Sequence, residues 1–225
     1  MKYPSDFSNW TTQMAHDAFG LSVKPSLSSL ADWLTVPTEP LNESDKQYLD
    51  KTLVKAKQRA AFWSEGDIKL KLLGPMIVVA DIDNEKFSTF SEISVKAALK
   101  TVDNESINVS GRPDLMIATG EFSAKQPYFC MQEYKPKKKG SDPRGQTLIA
   151  LMTARQLNIE GKNPQKVLYG AFTVGRDWTF ITVEGNEYAV SQGFFLDQEA
   201  DIYEVVARMR VLRKIIDKNI DAAHH

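Results

Sequence analysis

The stretch GRPDLMIATG (Gly111–Gly120), followed after a short loop by MQEYKPKKK (Met131–Lys139), decides how this chain is read. Asp114 opens an apolar run. Glu133 and Lys135 stand in the next run with one residue between them. A charged group taken out of water is costly unless it is paired or holds a metal. Three such groups in two neighbouring strands therefore need a reason. Strand alternation puts Glu133 and Lys135 on one face and Tyr134 on the other. If the two strands are neighbours, Asp114 and Glu133 meet at one sheet edge. There the carboxylates repel and raise each other's pKa. A hard divalent cation, magnesium or manganese, relieves that repulsion through oxygen ligands. The expected ligands are Asp114, Glu133 and the main-chain carbonyl of Tyr134. Lys135, pointing where Glu133 points, would orient a water or offset charge developing on a phosphate.

The flanking sequence predicts the frame. Ser5 to Phe19 reads as a short helix stopped at Gly20, and Pro25 to Leu34 as a second. Two prolines between Val36 and Asn42 mark a linker. Ser44 with Gln47 resembles a capping box ahead of a long helix carrying Leu49, Leu53 and Ala56. Ser64 with Asp67 can recap a shorter segment ending before Gly74-Pro75. Strands are expected over Phe87–Leu99, over Ile107–Val109 joined to Leu115–Ala118, and over Pro127–Tyr134. Asp142-Pro143 starts a helix running to about Leu157. Val167–Val174 and Trp178–Val183 pair around Gly175-Arg176-Asp177, with Tyr188 and Val190 on an edge. From near Asp197 a final helix carries Ile202, Val205, Val206, Met209, Leu212, Ile215 and Ile216 on one stripe. The order predicts an α/β sandwich with a mixed sheet.

Composition excludes some functions. The 225 residues carry a net charge of −1, so bulk charge does not make the chain a polyanion binder; any nucleic-acid contact must be local. The local patch is Lys135, Lys137, Lys138, Lys139 and Arg144, five cations against the single acid Asp142. Grips of this kind on a phosphate backbone are salt-sensitive and blind to sequence. Arg112 would add to it. His224 and His225 lie in a terminal AAHH that reads as a tag remnant (222–225). That leaves His16, which argues against a histidine-ligated metal or a histidine-based triad. One cysteine, Cys130, excludes an internal disulfide framework and fits a reducing compartment, so a cytoplasmic protein is expected. Without a histidine partner it reads as a buried thiol rather than a nucleophile. No apolar run approaches the roughly 20 residues of a membrane span. The four tryptophans read as core, and Glu92 as a surface acid.

Pro113-Asp114 with Glu133-Tyr134-Lys135 resembles the PD-(D/E)xK motif of the restriction-endonuclease-like nucleases. The element order from about Ser44 to Lys218 is similar too. GRPDLMIA and GAFTVGRDWTFITV look more like uncharacterised branches than any named restriction enzyme. The resemblance implies a three-layer α/β core, a central mixed sheet flanked by helices. It also implies a magnesium- or manganese-dependent nuclease acting usually on DNA and leaving a 5′-phosphate. Glu65 falls where an early helix of that family often supplies a further acid, though Asp67 competes for the role. Gln146 falls where some branches carry a glutamine on the helix after the motif. The expected domain is 44–221, with residues 1–43 a helical extension that gates the site or makes a homodimer contact. The rival expectation is a nucleic-acid-binding or interaction module of the same fold with weak or no catalysis.

Overall fold

The computed structural model describes residues 2–135 and 142–223. The chain opens with a 3-10 turn (Phe7–Asn9), α1 (Thr12–Phe19), β1 (Ser22–Val23), α2 (Ser28–Thr35) and α3 (Glu43–Arg59). A broken helical run follows: α4 (Glu65–Ile68), a π turn (Lys69–Leu73) and α5 (Gly74–Ala80). Then come β2 (Ser88–Ser91), β3 (Val95–Lys100), β4 (Ser106–Gly111), β5 (Leu115–Thr119) and β6 (Lys125–Lys135). The chain continues with α6 (Pro143–Glu160), β7 (Val167–Val174), β8 (Asp177–Glu184), β9 (Glu187–Val190), β10 (Phe194–Phe195) and α7 (Glu199–Ala223). This is an α/β protein with a mixed eight-stranded sheet in the order β1-β9-β8-β7-β6-β5-β2, β10 pairing with β8. Among the described residues no helix is long and apolar enough to cross a membrane.

The centre of the sheet is the parallel pair β6–β7, with Glu133 opposite Phe172 and Lys135 opposite Val174. A parallel pair needs a long crossover, and α6 supplies it. β5 joins β6 antiparallel, and β8 joins β7 antiparallel. Alternation divides each strand between two cores. Leu115, Ile117, Cys130 and Tyr134 face the layer that holds α3, α5 and α7, whose stripe from Ile202 to Ile216 is buried there. Met116, Ala118, Met131 and Phe172 face α6, α1 and the β3–β4 hairpin. Residues 2–43 enter both layers: Phe7, Trp10 and Phe19 pack in one, Leu30, Trp33 and Leu41 in the other, and β1 pairs with β9.

Four local expectations are corrected. The cap of α3 is Asn42, whose side chain accepts the Asp45 N–H, so Ser44 and Gln47 do not form the box. The Ser64–Asp67 box does form. However, the helical run passes through Gly74-Pro75 to Ala80. Pro75 sits in the first turn of α5, where a missing N–H is tolerated. The strand expected over Phe87–Leu99 is two strands, because Glu92 takes φ +54 between them. The strand expected across Ile107–Ala118 is also two. Pro113 cannot donate to a ladder, and the chain changes sheets there: β4 pairs with β3 in a separate two-stranded sheet, while β5 enters the main one.

α6 starts as expected. Asp142 accepts the Gly145 N–H at 2.9 Å and also the Thr12 N–H at 2.7 Å and hydroxyl at 3.1 Å. The N-terminal segment is thereby tied to the first turn of α6. The approach is close enough that a Cβ on Gly145 would lie 2.4 Å from the Thr11 carbonyl carbon and 2.5 Å from the Thr12 nitrogen. Backbone cannot yield as a side-chain tip can. Gly145→Ala is therefore expected to cost about 2 kcal/mol and to lower Tm by roughly 4–8 °C. Gly193→Ala, whose Cβ meets nothing within 4 Å, should leave Tm unchanged; equal Tm values would refute the close approach.

Candidate active site

The site lies at the carboxyl ends of β6 and β7, the end of an α/β sheet where ligands usually bind. Because β5 begins with Leu115 opposite Gln132, the residue before it, Asp114, falls level with Glu133. Asp114 is not inside the strand, but its N–H donates to the Gln132 carbonyl at 3.1 Å. Its Oδ2 accepts the Tyr134 N–H at 2.6 Å. The carboxylate thus acts as a rung of the ladder through Oδ2, and Oδ1 meets the Lys69 ammonium. The Tyr134 ring faces the opposite layer beside Trp178, and its hydroxyl donates to the side-chain carbonyl of Gln132. Glu133 and Lys135 share the other face, as alternation predicts, with Oε1 and Nζ 2.6 Å apart. The Lys135 carbonyl accepts the Gly175 N–H of the β7–β8 turn at 2.8 Å, which fixes the end of β6.

Glu65, the first residue of α4 after the Ser64 cap, brings its carboxylate 3.7 Å from the Lys135 ammonium. Between Glu65 and Asp114 stands a residue that the sequence reading did not single out, Lys69. Its Nζ is 2.5 Å from Asp114 Oδ1, 3.0 Å from Glu65 Oε1 and 3.0 Å from Glu92 Oε1. The result is a line of alternating charge: Asp114, Lys69, Glu65, Lys135, Glu133. Glu92, expected on the surface, is exposed but joins this cluster. The i, i+4 spacing of Glu65 and Lys69 is a readable helix pair. That it would close on Asp114 is not readable from the local sequence.

Burial, then the nearby charge of Asp114, pushes the Glu133 carboxyl up to about 7, with Lys135 pulling the other way. Burial opposes the charge on Lys135, but its hydrogen bond to Glu133 and the field of Asp114 and Glu65 outweigh it, so the ammonium is held above the ordinary lysine range. The same balance, with Asp114 first and then Glu92 and Glu65, raises Lys69. The Lys69 hydrogen bond lowers Glu92. Four carboxyl groups gather around the two ammonium groups.

Among the described residues no three His, Cys, Asp or Glu side chains are gathered as a metal cage. The donor chemistry nevertheless suits a hard cation. The oxygens of Asp114 and Glu133 are buried and mutually repelling, and cationic ammonium groups already lie against them.

The other expected residues divide. Arg112 is exposed on the rim of a cleft of about 470 Å³, which Glu133, Lys135, Gln146, Ser94 and Ser8 also line. Gln146 is buried and donates to the Ser8 carbonyl at 3.3 Å. Arg144 lies 5.8 Å over the ring of Phe172, the register partner of Glu133. Lys137, Lys138 and Lys139 lie outside the described residues. The Asp6–Ser8 segment that lines the cleft has no local signal in the sequence, since long-range contacts, the Ser110 N–H to the Ser5 carbonyl at 2.8 Å and the buried Phe7 ring, hold it there. Cys130 is buried as expected, and burial pushes its thiol up to about 12.

No protein-family model matches the chain, and no curated protein matches it.

Proposed function

We propose that this protein is a metal-dependent nuclease of the restriction-endonuclease-like kind, hydrolysing phosphodiester bonds in DNA. The observation that carries this reading is the meeting of Asp114, Glu133, Lys135 and Glu65, from three separate parts of the chain, at the carboxyl end of a parallel strand pair. Asp114, Glu133 and the Tyr134 carbonyl would hold magnesium or manganese. When bound, the ion would supply Lewis-acid polarisation of the phosphate and neutralise charge at the site.

The chain's own groups do the rest. Lys135, held protonated and anchored by Glu133, presents N–H donors to a phosphoryl oxygen as negative charge grows in the transition state. Glu65 keeps that ammonium aligned from the far side. Arg112 on the rim, with Lys137, Lys138 and Lys139 beyond β6, would hold the flanking phosphates. Gln146, fixed by Ser8, presents the rest of its amide to the cleft. In the reaction the oxygen of water bonds to phosphorus as the P–O3′ bond breaks. One proton of that water ends on the departing 3′ oxygen, the other in solvent, and the product carries a 5′-phosphate.

The test is cleavage of plasmid, single-stranded DNA and RNA with magnesium or manganese, comparing wild type with Lys135→Ala. Wild type should cut only with metal, and the variant should be slower by on the order of 10²–10³-fold, the usual loss for a preorganised transition-state donor. Equal cutting by both would refute the role of Lys135. No cutting by a folded wild type on any substrate would favour a nucleic-acid-binding module on this fold.

A further inference from the structure

We propose that Lys69 is the resident counter-ion of this site, and that its ammonium must vacate the acids before a divalent cation can be held. This rests on the metal-dependent reading above. Three carboxylates from three parts of the chain converge on Lys69 Nζ: Asp114 at 2.5 Å, Glu65 at 3.0 Å and Glu92 at 3.0 Å. The lysine reaches them from the π turn, an irregularity of helices that is frequent at functional sites. An ammonium on a four-carbon stem is a mobile occupant.

The three partners are not equivalent. The Asp114 side chain is 6% exposed, whereas that of Glu92 is 61% exposed. Lys69 can therefore swing outward and remain paired with Glu92 while it leaves Asp114. Charge favours that exchange. With Lys69 in place, four carboxylates face two ammonium groups. With Lys69 parked on Glu92, the remaining Asp114, Glu133 and Glu65 are balanced by Lys135 and the two charges of the ion. The lysine thus keeps the acids from repelling while the site is empty, and it sets a threshold for loading. It is a positioning residue, since no role in the reaction is assigned to it.

The probe is Mn2+ alone, titrated by calorimetry into wild type and Lys69→Met, with folding verified by circular dichroism. The variant should bind on the order of tenfold more tightly, because loading no longer breaks the Lys69 pairs with Asp114 and Glu65. A second measurement needs no variant. Amine labelling of wild type, read by mass spectrometry, should modify Lys69 several-fold faster with Mn2+ than without, while exposed Lys96 labels at one rate. Mn2+ binding that is no tighter in the variant, with Lys69 labelling unchanged, overturns the displacement but leaves the metal site standing. No Mn2+ binding by either protein overturns both. If Lys69→Met does not fold, the labelling result decides.

Discussion

Asp114→Asn should lose metal-dependent cleavage by on the order of 10²–10³-fold yet stay folded, whereas Asp114→Ala should lose both activity and stability. The two substitutions separate two tasks of one carboxylate. Oδ2 accepts the N–H of Tyr134 inside the sheet, and Oδ1 carries the charge that draws Lys69. An asparagine oxygen can still accept the Tyr134 N–H, so Asp114→Asn should fall within about 1 kcal/mol of wild type, the net size of a modest hydrogen-bond change. It cannot supply the negative charge that holds a cation. Alanine leaves the Tyr134 N–H buried without a partner, which costs about 1–3 kcal/mol, and it removes the closest partner of Lys69. We expect about 2–4 kcal/mol of destabilisation in all, read by urea unfolding beside single-turnover cleavage. If Asp114→Asn unfolds as easily as Asp114→Ala, the charge rather than the hydrogen bond holds the strand ends together. If it still cuts at the wild-type rate, Asp114 is not in the catalytic set.

The largest effect on stability alone is expected at Asn158. This residue of α6 is fully buried, and its side chain makes two hydrogen bonds to one residue of the sheet. Its Nδ2 donates to the Tyr128 carbonyl at 2.8 Å, and its Oδ1 accepts the Tyr128 N–H at 2.7 Å. Tyr128 lies two residues before Cys130, where β6 begins to pair with β7. The asparagine amide supplies there what a neighbouring strand supplies farther on. Asn158→Ala leaves two buried main-chain groups unpaired, each costing about 1–3 kcal/mol, and opens a small cavity. A loss of about 3–5 kcal/mol should follow. Tyr128 is seven residues from Lys135, about 23 Å along the strand. Cleavage measured well below the melting point should therefore be unchanged. A stability loss under about 1 kcal/mol would mean that water replaces the amide.

Short-range pattern accounts for what was legible. Period-two alternation places Glu133 and Lys135 on one face and Tyr134 on the other, and the hydrogen bonds agree. The Ser64–Asp67 box and the Asp142-Pro143 helix start are contacts within one turn, so adjacent residues suffice to specify them. The stripe from Ile202 to Ile216 is likewise a property of one helix. The misreadings are of a different kind. Phe87–Leu99 has the composition of a strand throughout, but Glu92 bends it. Ile107–Val109 and Leu115–Ala118 both carry strand-forming residues on either side of Pro113, yet they belong to different sheets.

By itself, then, the sequence determined the element types, the caps at Ser64 and Asp142, and the face on which Glu133 and Lys135 lie, because these follow from backbone periods and one-turn hydrogen bonds. Only the tertiary structure decided that Asp114 stands level with Glu133, since the β5–β6 register is a pairing across the intervening loop. Only it decided that Lys69 enters the acids and that residues 6–8 line the cleft. These placements follow from packing two layers onto one sheet. No local pattern encodes them, because the partners lie tens of residues apart and meet only when both cores close.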